Sequence, residues 1–231
     1  MIKLSFARLS RRCAAGLSIT LIVGCSALHP MVTAQPAFYS LDNARSEAQA
    51  AARVQKTPLQ TAPTLIVNPP HAASGFDSQH IIYMREPHQL EYYAHNEWVD
   101  TPARMVAPLI VAAVENSGVF RAVVLTPSAA AGELRLDTEI VRLQHELDGS
   151  RVRFTMRAYI MDNTTRHVLL LREFDETIIA QNETPYGGVI AANRAVQVVL
   201  EQLADFCTEA AEKWQQTAVE VHDTARKSFE R

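Results

Sequence analysis

An α+β fold is what this sequence predicts: one domain, an antiparallel or mixed sheet, and two helices packed on one face of it. Three observations carry that prediction. Apolar and charged residues alternate through three long consecutive strand patterns between Leu134 and Ile179. Apolar residues spaced by three, four and seven form a single stripe from Val189 to Trp214, which is a long C-terminal helix. A shorter helical pattern is opened by Pro102 and closed by Gly118.

The chain begins with a secretory signal. Lys3, Arg8, Arg11 and Arg12 come without an acidic residue, and an apolar run follows from about Cys13 to Val23. That run is too short to cross a bilayer, which takes roughly 20 apolar residues. Ile22-Val23-Gly24-Cys25 resembles a bacterial lipobox, in which the cysteine thiol takes a diacylglyceryl group and becomes the first residue of the mature chain. The plainer alternative is cleavage after an Ala-x-Ala-like site near Ala34, which would discard Cys25. The lipobox reading divides the chain into a signal peptide at 1–24, a tether at 25–37, a domain at 38–216 and a polar tail at 217–231. Acyl chains of the palmitate kind on Cys25 would hold the protein to a membrane without spanning it, since each buried methylene contributes about 0.8 kcal/mol. Ser at position 26, by resemblance to sorted bacterial lipoproteins, favours the periplasmic side of the outer membrane.

Removing residues 1–24 from 231 leaves 207, enough for one domain with a real core. The whole chain carries 22 basic and 25 acidic residues, and the signal takes four basic and no acidic ones, so 18 face 25, a formal −7. A surface of that sign excludes attraction to nucleic acid or to anionic headgroups. With Cys13 removed and Cys25 acylated, Cys207 stands alone, and no disulfide framework is available. Its apolar neighbours on a predicted helix mark it as a buried, inert thiol.

The elements follow in order. Eleven residues from Ser26 to Pro36 form a tether that reaches roughly 35–40 Å at most. Phe38-Tyr39-Ser40-Leu41 reads as a short strand. Residues 42–62 read either as a loose helix or as a loop, with no chemistry of their own. Thr64-Leu65-Ile66-Val67 is a buried strand stopped by Asn68-Pro69-Pro70. Gly75-Phe76-Asp77 turns. Ile81 to Arg85 and Gln89 to Ala94 form a tyrosine-rich hairpin. The stretch from Asn96 to Pro102 leads into the first helix, capped by Asp100 or Thr101, with Met105, Leu109, Ala113 and Val114 on its apolar face. Pro108 inside that pattern predicts a kink or broken turn. Arg121 to Leu125 is a strand.

Leu134, Leu136, Thr138 and Ile140 then alternate, after which the apolar positions move to Val141, Leu143 and Leu147. A plain slip would turn the core face outward, so the change of phase predicts a bulge near 140–141. Asp148-Gly149-Ser150 is a hairpin turn. Val152, Phe154, Met156, Ala158 and Ile160 keep strict period two, with Arg151, Arg153 and Arg157 on the opposite face, and His167 to Ile179 completes an antiparallel meander with one wet face. Thr184-Pro185 opens the last helix, about seven turns long, and the polar residues from Thr217 onward are expected to fray.

Candidate chemistry is sparse. His71, His80, His88 and His95 lie nine, eight and seven apart, share no helix face, and lack the close pairs of a zinc site, so no metal is expected. No Gly-x-Ser-x-Gly elbow is present. A Ser/His/Asp constellation is recognised by geometry, so an anchored periplasmic hydrolase stays as the least favoured reading. Gly187-Gly188 at a helix opening suits an anion, but no Lys-Ser/Thr follows and close packing explains it better. The informative cluster is aromatic: Tyr83, Tyr92, Tyr93 and Trp98, with Arg85 beside them. Tyr92 and Tyr93 must point to opposite faces. Each is either ordinary packing with a wet hydroxyl or part of a surface patch for a protein or lipid partner.

The residues from Ile81 to Phe120 carry a resemblance. Tyr83-Met84-Arg85, Tyr92-Tyr93, Asn96 through Pro102 and Gly118-Val119-Phe120-Arg121 resemble the ABC-type transport auxiliary lipoprotein family, whose members include the paraquat-inducible protein C lipoproteins. The likeness continues through Leu134 to Ile140 and Ala191-Ala192-Asn193-Arg194-Ala195, and covers most of residues 64–206. It implies a non-enzymatic accessory subunit without cofactor. Such a subunit docks an MCE-domain protein of an ABC transporter that moves phospholipid or other hydrophobic molecules between membranes. Only Cys25 takes over a defined role, lipidation; Tyr83, Arg85, Tyr92, Tyr93 and Trp98 are candidate partner or ligand contacts. The alternative is a lipid-binding carrier module with its own apolar pocket. Homo-oligomerisation, the cargo and the direction of transport stay open.

Overall fold

A computed structural model describes residues 35–42 and 61–229, with side chains as far as 217. The predicted signal, Cys25 with most of its tether, and nearly all of the 42–62 stretch lie outside the described residues. The described chain holds nine strands in one mixed sheet and two helices. The strands are β1 (Ala37–Tyr39), β2 (Thr64–Val67), β3 (His71–Ala72), β4 (His80–Met84), β5 (Glu91–Trp98), β6 (Ala122–Leu125), β7 (Leu134–Glu146), β8 (Arg151–Asp162) and β9 (Val168–Ile179). The helices are α1 (Pro102–Ser117) and α2 (Pro185–Phe229).

The long strand β7 organises the sheet. One edge pairs with β8 along its length, and β8 pairs with β9, both antiparallel. The register shifts between Ile140 and Arg142, so the predicted bulge is present, and Leu143 still meets Phe154 on the core side. The other edge of β7 is shared by three short strands, β2, β3 and β4, all parallel to it. β6 adds parallel to β2, β5 antiparallel to β4, and β1 parallel to β5. The sheet is therefore mixed, where the meander alone pointed to antiparallel pairing. All four residues of β2 are buried, and such an unbroken apolar run is what a strand covered on both faces requires. β3 was not expected. Past Pro69-Pro70 the chain runs on in the same direction, and His71 and Ala72 pair with Glu139 and Ile140 of β7.

Both helices cover one face and complete a single core. On β8, Val152, Phe154, Met156, Ala158 and Ile160 point into it, and α2 meets them with Val196, Val199, Leu203, Phe206 and Ala210. The larger of these side chains each contribute roughly 1.5–3 kcal/mol of apolar burial, which orders a helix this long. Cys207 lies in the same seam, fully buried, and burial pushes its thiol up, so it is an inert core group. The backbone stays helical to Phe229, beyond the fraying expected from Thr217.

Four details of the β5–α1 region differ from expectation. β5 continues to Trp98, so part of the stretch read as a helix leader is strand. α1 runs unbroken through Pro108. Pro108 and Arg104, whose carbonyl loses its partner, both lie on the exposed side of the helix, where that loss costs least. The buried face of α1 is Ala103, Val106, Ala107, Ile110 and Val114, while Met105, Leu109 and Ala113 flank it half-buried. The Thr101 side chain makes no capping bond; Asp100 accepts the Thr101 N–H at 2.8 Å and pairs with Arg104 at 3.1 Å. Gly118 closes the helix at φ 69°, a left-handed turn that favours glycine.

Candidate functional site

The β4–β5 hairpin carries all five aromatic and basic candidates, and pairing sorts them. Tyr83 stands opposite Glu91, so Tyr83, Glu91 and Tyr93 share the face turned toward α2. There the Tyr83 and Tyr93 rings stack at 4.4 Å between centroids. The Tyr83 hydroxyl donates to Glu91 Oε2 at 2.8 Å, and Arg85 Nη2 donates to that hydroxyl at 3.0 Å. The Arg85 guanidinium also sits 5.2 Å from the Tyr83 ring centre and 3.8 Å from Glu91, with its side chain 63% exposed. Tyr92 points the other way, as alternation requires. It is 58% exposed and stacks on His80 at 4.4 Å. Trp98 is 3% exposed and belongs to the core beneath the hairpin.

The residue that joins this hairpin to the rest of the fold is His145 of β7. Its Nδ1 lies 3.1 Å from the Tyr93 hydroxyl, and the ring is 2% exposed. Burial keeps it neutral by lowering its proton affinity, against the opposing charge of Glu183 in the turn before α2. A neutral ring that accepts from Tyr93 at Nδ1 carries its proton on Nε2, which has no partner among the described residues. Burial first, then the nearby Tyr83 and Glu183, pushes the Tyr93 hydroxyl up to about 12, against the lowering influence of Arg85. The first turn of α2 leaves room for this arrangement. A Cβ on Gly188 would stand 2.6 Å from His145 Nδ1. Close packing is therefore the reason for this glycine, and Thr184 supplies the helix cap by accepting the Gly187 N–H at 3.1 Å.

His145, Gln144, Trp98, Ile81 and Gly188 line a cavity of about 10 Å³ between sheet and helix. That is the space of one water, far below what an acyl chain occupies. His71, His80 and His88 do not converge, and no group of three or more metal-ligating side chains is present among the described residues. On the opposite face, Arg153 pairs with Asp175, Arg157 with Glu139 and Glu173, and Arg151 with Glu146, so the polar face of the meander is a ladder of ion pairs. His145, Glu91 and Glu183 escaped the sequence reading. The signal available was Gly187-Gly188, which marks a close approach without saying to what.

The arrangement offers exposed aromatic and basic side chains on a braced hairpin, which suits contact with a partner. No helix among the described residues is long and apolar enough to cross a membrane. Comparison with known proteins places the chain. No curated protein matches its sequence. Among solved structures, protein XCC0632 from Xanthomonas campestris is similar at 21% identity, with a TM-score of 0.62 over 69% of this chain and 94% of that one. An uncharacterised protein is similar at 12% identity and a TM-score of 0.58, over 75% of this chain and 99% of that one. Both likenesses concern the fold. The family model for the ABC-type transport auxiliary lipoprotein component matches residues 39–204, from β1 through most of the buried stripe of α2. The chain belongs to the ABC-type transport auxiliary lipoprotein component family.

Proposed function

We propose that this protein is a non-enzymatic docking subunit of an MCE-type ABC transport system for phospholipid or another hydrophobic molecule, held to the periplasmic side of the outer membrane by acyl chains on Cys25. The family match over residues 39–204 carries the reading. The lipobox at Ile22–Cys25 and Ser26 support the anchor and its membrane. In this reading the partner meets Tyr92 and Arg85, the exposed members of the hairpin, while Tyr83, Tyr93 and the buried Trp98 hold them in place. The carrier alternative finds no room in the cavity beside His145, whose 10 Å³ holds no lipid.

The test is co-purification from mildly solubilised membranes with Cys25 intact, identifying bound proteins and lipids by mass spectrometry. An MCE-domain protein in the eluate that is lost with Tyr92→Ala establishes docking through the hairpin. Lipid without a protein partner supports the carrier. Neither would sink both readings and reopen the search for an enzyme.

A further inference from the structure

Glu97 of β5 points away from the helices, because the next residue along the strand, Trp98, points into the core. Pairing fixes its neighbours on that outer face. Phe38 of β1 lies on one side and His80 of β4 on the other. Phe38 is 58% exposed, and His80 carries the exposed ring of Tyr92 stacked on it at 4.4 Å. The four side chains therefore form one continuous surface, with aromatic rings on both sides of a carboxylate. That carboxylate is half-buried and takes neither a hydrogen bond nor an ion pair among the described residues. Elsewhere the fold completes the same trio of ring, carboxylate and arginine with its own residues. On the inner face of this hairpin, Arg85 lies 5.2 Å from the Tyr83 ring centre and 3.8 Å from Glu91. Against α2, Arg172 lies 5.2 Å from the Phe206 ring centre and donates to Glu209 at 2.9 Å. At Glu97 the rings and the carboxylate are present, and no arginine among the described residues pairs with them.

We propose that this surface receives an arginine presented by a protein partner, its guanidinium paired with Glu97 between Phe38 and the Tyr92–His80 stack. This rests on the docking role proposed above and names the chemistry that the partner brings to Tyr92. Neighbouring strands lie about 4.8 Å apart, so Phe38 and His80 each stand about one strand spacing from Glu97. A cation bound to Glu97 falls within the roughly 6 Å over which a ring face attracts it. Guanidinium suits the place better than ammonium, because its plane stacks on rings while its N–H fork meets a carboxylate. The balance of charge agrees: the chain carries 25 acidic against 22 basic residues, which favours a basic partner surface. A phospholipid headgroup fits less well. It brings a phosphate, and none of the four side chains is a lysine or arginine that could receive one.

The experiment titrates the full-length protein in detergent micelles with acetyl-arginine methylamide, its lysine counterpart and phosphocholine. The tyrosine rings carry carbon-13, and the Tyr92 signal is assigned with Tyr92→Phe. The arginine probe is expected to move that signal saturably, the lysine probe more weakly, and phosphocholine not at all. Glu97→Gln should weaken arginine binding about fivefold and Phe38→Leu about threefold, and added salt should weaken it further. Glu115→Gln, exposed near the end of α1, should leave it unchanged. Unfolding midpoints are compared first, so that only folded variants are titrated. A shift that does not saturate, or Glu97→Gln protein that binds arginine as well as the unsubstituted protein, overturns the site. Phosphocholine that binds as well as arginine assigns the surface to a lipid headgroup and overturns the partner arginine. The co-purification described above separates this contact from docking itself. An MCE-domain protein captured in full by Glu97→Gln protein overturns the arginine contact and leaves docking standing. Saturable arginine binding with no MCE-domain protein in any eluate upholds the site and overturns that docking role.

Discussion

His145 joins β7 to the β4–β5 hairpin and to α2, and the sequence pattern did not single it out. It touches Tyr93 from β5 and Gly188 from α2, and its Nε2 is buried without a partner among the described residues. Two predictions belong at this scale. Gly188→Ala places a methyl 2.6 Å from Nδ1, so either the ring or the first turn of α2 must move. Overpacking of that kind costs about 1–3 kcal/mol, read as a lower urea midpoint with an unchanged slope. The second concerns pH. Burial lowers the proton affinity of His145 in the folded chain, so below the usual histidine range the unfolded chain binds the extra proton. Stability is expected to rise with pH through that range and to fall as pH drops below about 6.5. His145→Gln should flatten this part of the stability–pH curve in urea titrations at several pH values. A variant that kept the full slope would show that another group sets it.

At the scale of elements, the meander and α2 were legible because their information is local. Period two in β8 and the three-four-seven stripe in α2 each repeat often enough to specify a face, and the change of phase at Ile140-Val141 predicted a bulge that the β7–β8 register contains. The short strands carried less. β3 has two residues and no pattern, and the parallel neighbours of β7 come from far along the chain, so nothing local announces them. The wet face of the meander supports an acid-stability prediction. A hydrogen bond from Arg153, with help from Thr155 and against some burial, lowers Asp175 to about 2. That contribution is present above the usual aspartate range and is lost as pH falls from about 4 toward 2. The pair is about a third exposed and screened by water, so its worth is about 1 kcal/mol. Asp175→Asn should lower the thermal midpoint near neutral pH, and the gap from the unsubstituted protein should close toward pH 2.

For the whole molecule, the decisive question is what holds the domain where it works. No helix among the described residues is long and apolar enough to cross a membrane, and the attachment proposed above is through Cys25. Cys25→Ala is expected to move the protein from the membrane pellet to the soluble fraction, with the unfolding midpoint of the purified domain unchanged. Continued pelleting of that variant would overturn the anchor.

What this sequence determined by itself is everything that repeats or is contiguous. That covers the α+β class, the meander with its bulge, the buried stripe of α2, the opposite facing of Tyr92 and Tyr93, and the motifs that resemble the family; the signal and lipobox are readings of residues outside the described ones. Tertiary structure alone decided which strands lie parallel to β7, that Trp98 is core while Tyr92 is surface, that Gly188 is small for the sake of His145, and that Tyr39 of β1 packs against Tyr186 of α2. The physical reason is the same in each case. Periodicity records which face of an element is buried, because burial repeats along the chain, whereas the identity of the neighbour across a sheet or under a helix is set by packing among segments far apart in sequence.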